Sequence, residues 1–360
     1  MTKKIKVLQQ VLDPIGAGGV SAEFRALRAS NLSDVYDFRF MILSDFNPGL
    51  NLHDIMFYYN EIKKNKPDIV HIRGAAIDGL NAVIAAKIAG HCKILTTVHG
   101  MYSDLVFISP IKRWIAKNVI ERLIFLLSDG ISCVCKKAND RLYFDKYRRK
   151  MLPYVYNRIP QYDLSNRDCI RKELRRQYHL KQEDFVCLFV GRMTREKGLK
   201  TLEKSLSILS NKGVSNLVFL FVGDGDYRNV FEANCRKYNI RTIFTGMQMD
   251  VSKFYMASDF FIQPSLHENH SIALLEACAA KIPSIATDCG GNSEIILDGF
   301  SGKLVPVGNA ELLGNAILYF TDISNLKKYT ANVQSLTFEQ FSDTECDKAL
   351  SMVYQRIMKI

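Results

Sequence analysis

The sequence predicts an α/β protein of two parallel-sheet domains, and three observations carry that prediction. At 360 residues the chain is long enough for two domains of ordinary size. Short apolar runs alternate with helix-forming segments from Ile5 to Val98 and again from Phe185 to Val305, the pattern of parallel strands joined by crossover helices. Between the two series lies a polar stretch, Arg158 to Asp184, that includes Arg171-Lys172-Glu173-Leu174-Arg175-Arg176. A boundary is therefore expected near residue 160, with domains over 1–160 and 161–337 and a terminal helix over 338–360.

Composition is globular: 48% of residues are hydrophobic and 24% charged, with no low-complexity tract. The first residues, Met1 to Leu12, are basic and then apolar, but Lys6, Gln9 and Gln10 interrupt the apolar part, so a first strand is expected rather than a signal peptide. The apolar run Leu123 to Leu127 falls far short of the roughly 20 residues a membrane span needs. Nine cysteines are scattered through strands and helices without paired metal-ligand spacing. Free thiols in a reducing cytoplasm are expected, and no metal. The formal net charge of +11 suits an anionic substrate, an anionic membrane surface or nucleic acid. Nucleic acid is set aside because no recognisable binding module accompanies the charge.

Ile5 to Leu12 reads as the first strand. Gly16-Ala17-Gly18-Gly19-Val20 follows as a loop into the helical Ser21 to Ala29, and glycines there let backbone N–H groups approach a phosphate. The same loop could open a dinucleotide site, but the third position of Gly-x-Gly-x-x-Gly is Ser21, and only Asp45 is available as the acid. Strands over Phe38 to Leu43, Asp68 to Arg73 and Lys93 to Val98 alternate with helices near His53 to Lys64 and Asp78 to Ala89. His99-Gly100 then stands at a strand's carboxyl end, where ligands of such sheets bind.

From Ser109 to Leu127 the residues Ile111, Trp114, Ile115, Val119, Leu123 and Leu126 recur at helical spacing, with Lys112, Arg113, Lys117 and Arg122 between them. This is an amphipathic helix, expected to pack its apolar side on the sheet and leave its basic side in solvent. Further cations follow from Lys136 to Lys150. The basic face of 109–150 as a whole suits an anionic bilayer or a lipid-diphosphate acceptor. Leu152 to Asn157 is expected to be the last strand of the first domain.

The second series opens with the apolar strand Phe185 to Val190, followed by Gly191-Arg192-Met193-Thr194-Arg195-Glu196-Lys197-Gly198. This is no Walker loop, because the lysine precedes the glycine. Leu217 to Val222 leads into Gly223-Asp224-Gly225-Asp226, whose two acids read as turn formers rather than a metal site. Thr242 to Thr245 leads to Gly246-Met247. Phe260 to Gln263 is a buried strand closed by Pro264, and Ile272 to Ala280 a helix with Ser271 as its N-cap. Such a helix start offers N–H donors and partial positive charge to an anion. Glu268 on the entry loop and Glu276 just over one turn inside would flank it, which suits a ligand carrying both phosphate and hydroxyls. Strands over Ser284 to Thr287 and within Gly299 to Val305 follow, and Thr337 to Ile360 closes the chain as a helix.

The Glu268-x7-Glu276 pattern, preceded by Pro264-Ser265 and followed by Asp288-Cys289-Gly290-Gly291-Asn292-Ser293-Glu294-Ile295-Ile296, resembles the retaining glycosyltransferases of the two-domain GT-B type, and more narrowly their group 1 (family 4) set. The resemblance runs over nearly the whole chain. It implies two Rossmann-like domains facing across a cleft, with the C-terminal helix crossing back to the first. It implies a nucleotide-diphosphate sugar as donor, a UDP-sugar favoured, and a glycan or lipid-diphosphate acceptor, as in bacterial surface polysaccharide synthesis. By resemblance, Arg192 and Lys197 carry the diphosphate, with Gly18, Gly19, Ser271 and Ile272 adding backbone N–H groups. Gly246 and Met247 meet the base, Glu276 the ribose, and Glu268 and His99 the donor sugar. No cofactor and no protein nucleophile are implied. The chain departs from the family at Asn269 and Ser271, usually glycines, and at His270, usually aromatic. An NAD-dependent oxidoreductase, a nucleotide-sugar epimerase and a noncatalytic partner subunit are the alternatives.

Overall fold

A computed structural model describes residues 4–11, 19–43 and 49–360, and the chain divides into two compact units. Unit 1 comprises Met1–Arg158 together with Glu339–Ile360, and unit 2 comprises Ile159–Phe338.

Unit 1 is a five-stranded parallel sheet of β1 (Ile5–Val11), β2 (Tyr36–Ile42), β3 (Ile69–Ala75), β4 (Lys93–Met101) and β5 (Gly130–Cys133), in the order β2-β1-β3-β4-β5. The helices Gly19–Ala29, Leu52–Asn65 and Ile77–Ala89 alternate with the first four strands. Because successive strand residues face opposite sides, neighbours in β1 enter different cores. Leu8 packs with Tyr58, Val70, Ile94 and Phe125. Val7 packs with Ile69, Leu95 and the last helix, Asp343–Ile357, through Leu350, Val353, Tyr354 and Ile357. The chain's end is thus one wall of the first unit's core.

Unit 2 is a six-stranded parallel sheet of β6 (Phe185–Val190), β7 (Leu217–Val222), β8 (Arg241–Gly246), β9 (Phe260–Gln263), β10 (Ser284–Thr287) and β11 (Gly302–Val305), ordered β11-β10-β9-β6-β7-β8. Its core is rich in phenylalanine, with Phe189, Phe219, Phe221, Phe231 and Phe260 all buried. The sheet order reverses between β6 and β9, and the carboxyl ends of those two strands are where an open parallel sheet receives a ligand.

Four expectations are corrected. Leu152–Asn157 is not a strand; the last strand of unit 1 is β5, and the later segment only runs beside it, bridged at Met151 to Ile131 and bonded from Leu152 N–H and Val155 N–H to the Ile131 and Cys133 carbonyls. Pro153 lacks the N–H that a continued ladder needs. His99 lies inside β4 rather than beyond it, because pairing with β3 continues to Ala75 and Met101 past a bulge at Gly74, whose φ is +131°. The terminal helix starts at Asp343, not Thr337, since Phe338 has φ +55° and Ser342 caps the helix by accepting from Glu345 N–H at 3.3 Å. The helix expected over Ser109–Leu127 is a rod of Pro110–Ile115, a π turn Ala116–Ile120 and Glu121–Leu127, and its apolar stripe is exposed, not packed on the sheet: Ile111 is 73% and Trp114 62% exposed. The positions it buries are Ala116, Glu121, Ile124 and Phe125.

Candidate functional site

Three loops of unit 2 meet at the carboxyl ends of β6 and β9. The first leaves β6 through Gly191 and closes in a turn, Arg195–Lys197, at Gly198, whose φ is +68°. A Cβ on Gly198 would overlap the Pro264 carbonyl, so only glycine lets this loop lie against the end of β9. The contact is held by Leu266 N–H donating to the Glu196 carbonyl at 2.8 Å. The loop that leaves β10 backs the one that leaves β9: a Cβ on Gly290 (φ +50°) would overlap the Glu268 carbonyl, and Gly291 N–H donates to the Asn269 carbonyl at 2.6 Å.

These approaches deliver Lys197 to Glu268. The Lys197 ammonium donates to Glu268 Oε1 at 2.6 Å, and the same oxygen accepts from Gln263 Nε2 at 2.6 Å and Ser265 Oγ at 2.8 Å. Burial would raise the Glu268 pKa, but Lys197 and these hydrogen bonds outweigh it and hold the carboxyl below its usual value. Among the described residues these hydrogen bonds converge on Oε1. Gln263 is buried at the end of β9, and its Oε1 accepts from Ser271 Oγ at 2.6 Å. Ser271 also caps the Ile272–Ala279 helix, accepting from Leu274 N–H at 3.3 Å. One amide therefore ties the carboxylate to the helix start. The N–H groups of Ser271 and Ile272 fall outside that helix's own ladder.

Glu276 lies half-buried further along this helix, and its Oε2 accepts from the Tyr255 hydroxyl at 2.9 Å. Burial pushes its pKa up to about 7 against the pull of that hydrogen bond. Its negative charge in turn raises Tyr162 and Tyr255, after their own desolvation. Arg192 is exposed and forms no ion pair among the described residues. Gly246 (φ +71°) ends β8 with its carbonyl accepting from Gly223 N–H at 2.9 Å, and Met247 beside it is 77% exposed. Asp224 bonds Gly225 N–H at 2.8 Å and Arg228 at 3.0 Å, as a turn residue does. Among the described residues no group of three or more His, Cys, Asp or Glu is arranged to hold a metal ion.

Of the expected site residues, Lys197, Glu268 and Ser271 are joined through Gln263, with Ile272 and Glu276 on the same helix. His99 belongs to unit 1. There it is half-buried, with its pKa pushed down to about 3 by desolvation and then by Arg73, so the imidazole is neutral. His99 has Arg73 as its neighbour at the end of β3. Arg73 donates to Gln9 Oε1 at 3.1 Å, and Gln9 Nε2 donates to the Tyr354 hydroxyl at 2.7 Å. Gly18, like Gly16 and Asp45, lies outside the described residues, while Gly19 opens the Gly19–Ala29 helix. Reasoning from sequence missed Gln263, Ser265, Tyr255 and Arg73. Gln263 had one local signal, a polar residue closing an otherwise apolar strand. An open depression of about 600 Å³ lined by Lys4, Lys6, Arg28 and Tyr36 sits at the amino ends of β1 and β2, away from the ends where His99 and Arg73 lie.

Residues 170–333 match the family described as glycosyl transferases group 1, and residues 22–157 match glycosyltransferase family 4. The chain is 27% identical over 302 residues to the UDP-Gal:alpha-D-GlcNAc-diphosphoundecaprenol alpha-1,3-galactosyltransferase of Escherichia coli, covering 81% of this chain and 76% of that one. It is 23% identical over 296 residues to the N-acetyl-alpha-D-glucosaminyl L-malate synthase of Bacillus anthracis, covering 81% and 75%. Among solved structures, Anabaena HepE in complex with UDP and glucose superposes with a TM-score of 0.77 at 15% identity over 98% of this chain and all of that one, which is a likeness of fold. With two parallel α/β units of the GT-B kind and family matches spanning both, the chain is a glycosyltransferase and belongs to the group 1 glycosyltransferases.

Proposed function

We propose that this enzyme moves a sugar from a nucleotide-diphosphate sugar, a UDP-sugar in preference, to a glycan or lipid-diphosphate acceptor with retention at the anomeric carbon. The observation that carries the reading is the cluster of Lys197, Glu268, Gln263 and Ser271 at the switch between β6 and β9. It offers one cation, one carboxylate oxygen and one helix start within a single hydrogen-bonded assembly. Those three features suit the phosphate and the hydroxyls of a phosphate-bearing sugar.

As the bond from the anomeric carbon to the leaving phosphate oxygen breaks, negative charge grows on the diphosphate. Arg192, Lys197 and the N–H groups at Ser271 and Ile272 lower the energy of that charge more than that of the bound ground state. Gly18 and Gly19 contribute N–H groups in the same reading. The acceptor oxygen bonds to the anomeric carbon on the face the diphosphate leaves, and its proton passes to the departing phosphate oxygen, so no protein base or nucleophile is required. Glu268, held ionised, accepts from sugar hydroxyls through Oε2. Glu276 accepts from ribose hydroxyls, and Gly246 and Met247 border the base. No metal is needed, since cationic side chains hold the diphosphate.

Support for a UDP-sugar and a lipid-linked acceptor comes from the galactosyltransferase relative, named for UDP-Gal and a diphosphoundecaprenol acceptor. The malate synthase relative favours a small soluble acceptor instead. The reaction is assigned to the cytoplasmic side, in keeping with nine free cysteines. The test is thermal stabilisation and slow hydrolysis across UDP-, GDP- and ADP-sugars, for wild type, Arg192→Ala and Glu276→Ala. One sugar nucleotide is expected to raise the melting temperature of the wild type and to do so far less in either variant. Equal stabilisation of all three proteins would move the donor away from this loop cluster.

A further inference from the structure

The rod Pro110–Leu127 is held from one side only. Glu121, fully buried, accepts from Ser103 N–H and Ser103 Oγ, both at 2.8 Å. Ala116, Ile124 and Phe125 are buried beside it. Arg113 donates to the Leu105 and Val106 carbonyls at 2.9 Å, which fixes the preceding loop along the rod with Val106 and Phe107 exposed.

The outer side is apolar and basic at once. Ile111, Trp114, Ile115, Val119, Leu123 and Leu126 are 40% to 73% exposed. Lys112, Arg113, Lys117 and Arg122 are exposed among them, and the rod's sole acid is the buried Glu121. Lys146, Arg148 and Arg149 extend the charge beyond it, relieved by Asp145, which pairs with Arg148 at 2.9 Å. Water solvates the cations of this face but gains nothing for its six apolar side chains.

We propose that this rod lies in the plane of an anionic lipid bilayer, with its apolar side chains in the interfacial layer and its cations on lipid phosphates. The interleaving of long basic side chains with a tryptophan and branched aliphatics is what the headgroup boundary accommodates. Spanning is excluded by the charges, and among the described residues no helix is long and apolar enough to cross a membrane. A second copy is a poor occupant, because a two-fold contact through this face would oppose four cations to four. The net charge of +11 points the same way.

Trp114 is the chain's single tryptophan, so its emission reports on this face alone. The full chain is titrated with phosphatidylcholine vesicles, with and without phosphatidylglycerol, at ~150 mM salt. Emission is expected to shift to the blue and be quenched by bromine-labelled acyl chains only when phosphatidylglycerol is present, and binding to weaken at high salt. Ile111→Ser with Leu126→Ser is expected to lower partitioning by about tenfold or more, and Lys117→Glu with Arg122→Glu to remove the requirement for anionic lipid along with most of the binding. All four side chains are exposed, and unchanged melting curves verify that the variants fold. Unchanged emission without cosedimentation overturns the proposal. So does emission already blue-shifted without vesicles together with concentration-dependent dimerisation, which assigns the face to a second copy. No sugar nucleotide is present in these measurements, so their failure leaves the donor reading intact.

Discussion

Glu268 and Glu276 stand on one loop and helix yet are held in opposite protonation regimes. Glu268 is kept ionised by Lys197, Gln263 and Ser265 against its burial, while burial lifts Glu276 to about 7. If ribose hydroxyls donate to Glu276, the ionised form binds them, so donor KM is expected to fall as pH rises from 6 to 8, and Glu276→Gln to flatten that profile. The same shift fixes the sign of a stability effect. A carboxyl whose folded pKa exceeds its unfolded value stabilises below the unfolded pKa, and that contribution is lost as pH rises through about 7. Wild type is therefore expected to lose about 2–3 kcal/mol relative to Glu276→Gln between pH 4 and pH 8 in denaturant titrations. Gln263→Leu removes the amide between Glu268 and Ser271 while preserving bulk. About 1–3 kcal/mol of stability should go with it, and kcat/KM should fall more than donor affinity, since the carboxylate loses its orientation before the site loses its cations.

At the scale of elements, the site depends on backbones that approach more closely than any side chain allows. Gly198→Ala places a Cβ on the Pro264 carbonyl in a left-handed conformation, whereas Gly213→Ala has nearly the same φ, +69°, and nothing within 4 Å. The second substitution is expected to cost about 1 kcal/mol, and the first at least twice that with loss of turnover, because Lys197 moves away from Glu268. Equal melting temperatures for the two would show that the loop contact is not what seats Lys197. The rod Pro110–Leu127 makes the complementary point. Its period was readable, but a period says only that one face differs from the other. Which face is buried was decided by Glu121, whose hydrogen bonds to Ser103 turn a charged position inward.

For the whole molecule, unit 1 is completed by residues distant along the chain, as far as the 345 positions between Gln9 and Tyr354. Tyr354 accepts from Gln9 Nε2 and bonds His71 Nδ1 at 2.9 Å, and Arg158 pairs with Glu23 at 3.2 Å and Asp347 at 2.7 Å. Leu350 and Val353 fill the same face. Leu350→Ala is expected to destabilise unit 1 by about 2–5 kcal/mol and to split a calorimetric scan into two transitions, the first belonging to unit 1. A single cooperative shift would mean that the two units unfold together.

Local chemistry alone determined much of this protein. Strand and helix positions followed from period and turn residues, as at β6, β7 and β9 and the Ser271 cap, because those signals act over a few residues. The loops bearing Arg192, Lys197 and Glu268 and the helix bearing Glu276 could be located for the same reason, and their order along the chain identified the family. What only tertiary structure decided is which distant groups meet. Gln9 and Tyr354 lie 345 residues apart, and Lys197 and Glu268 71. No local pattern encodes such pairs, and burial, protonation and the identity of an exposed face all depend on them.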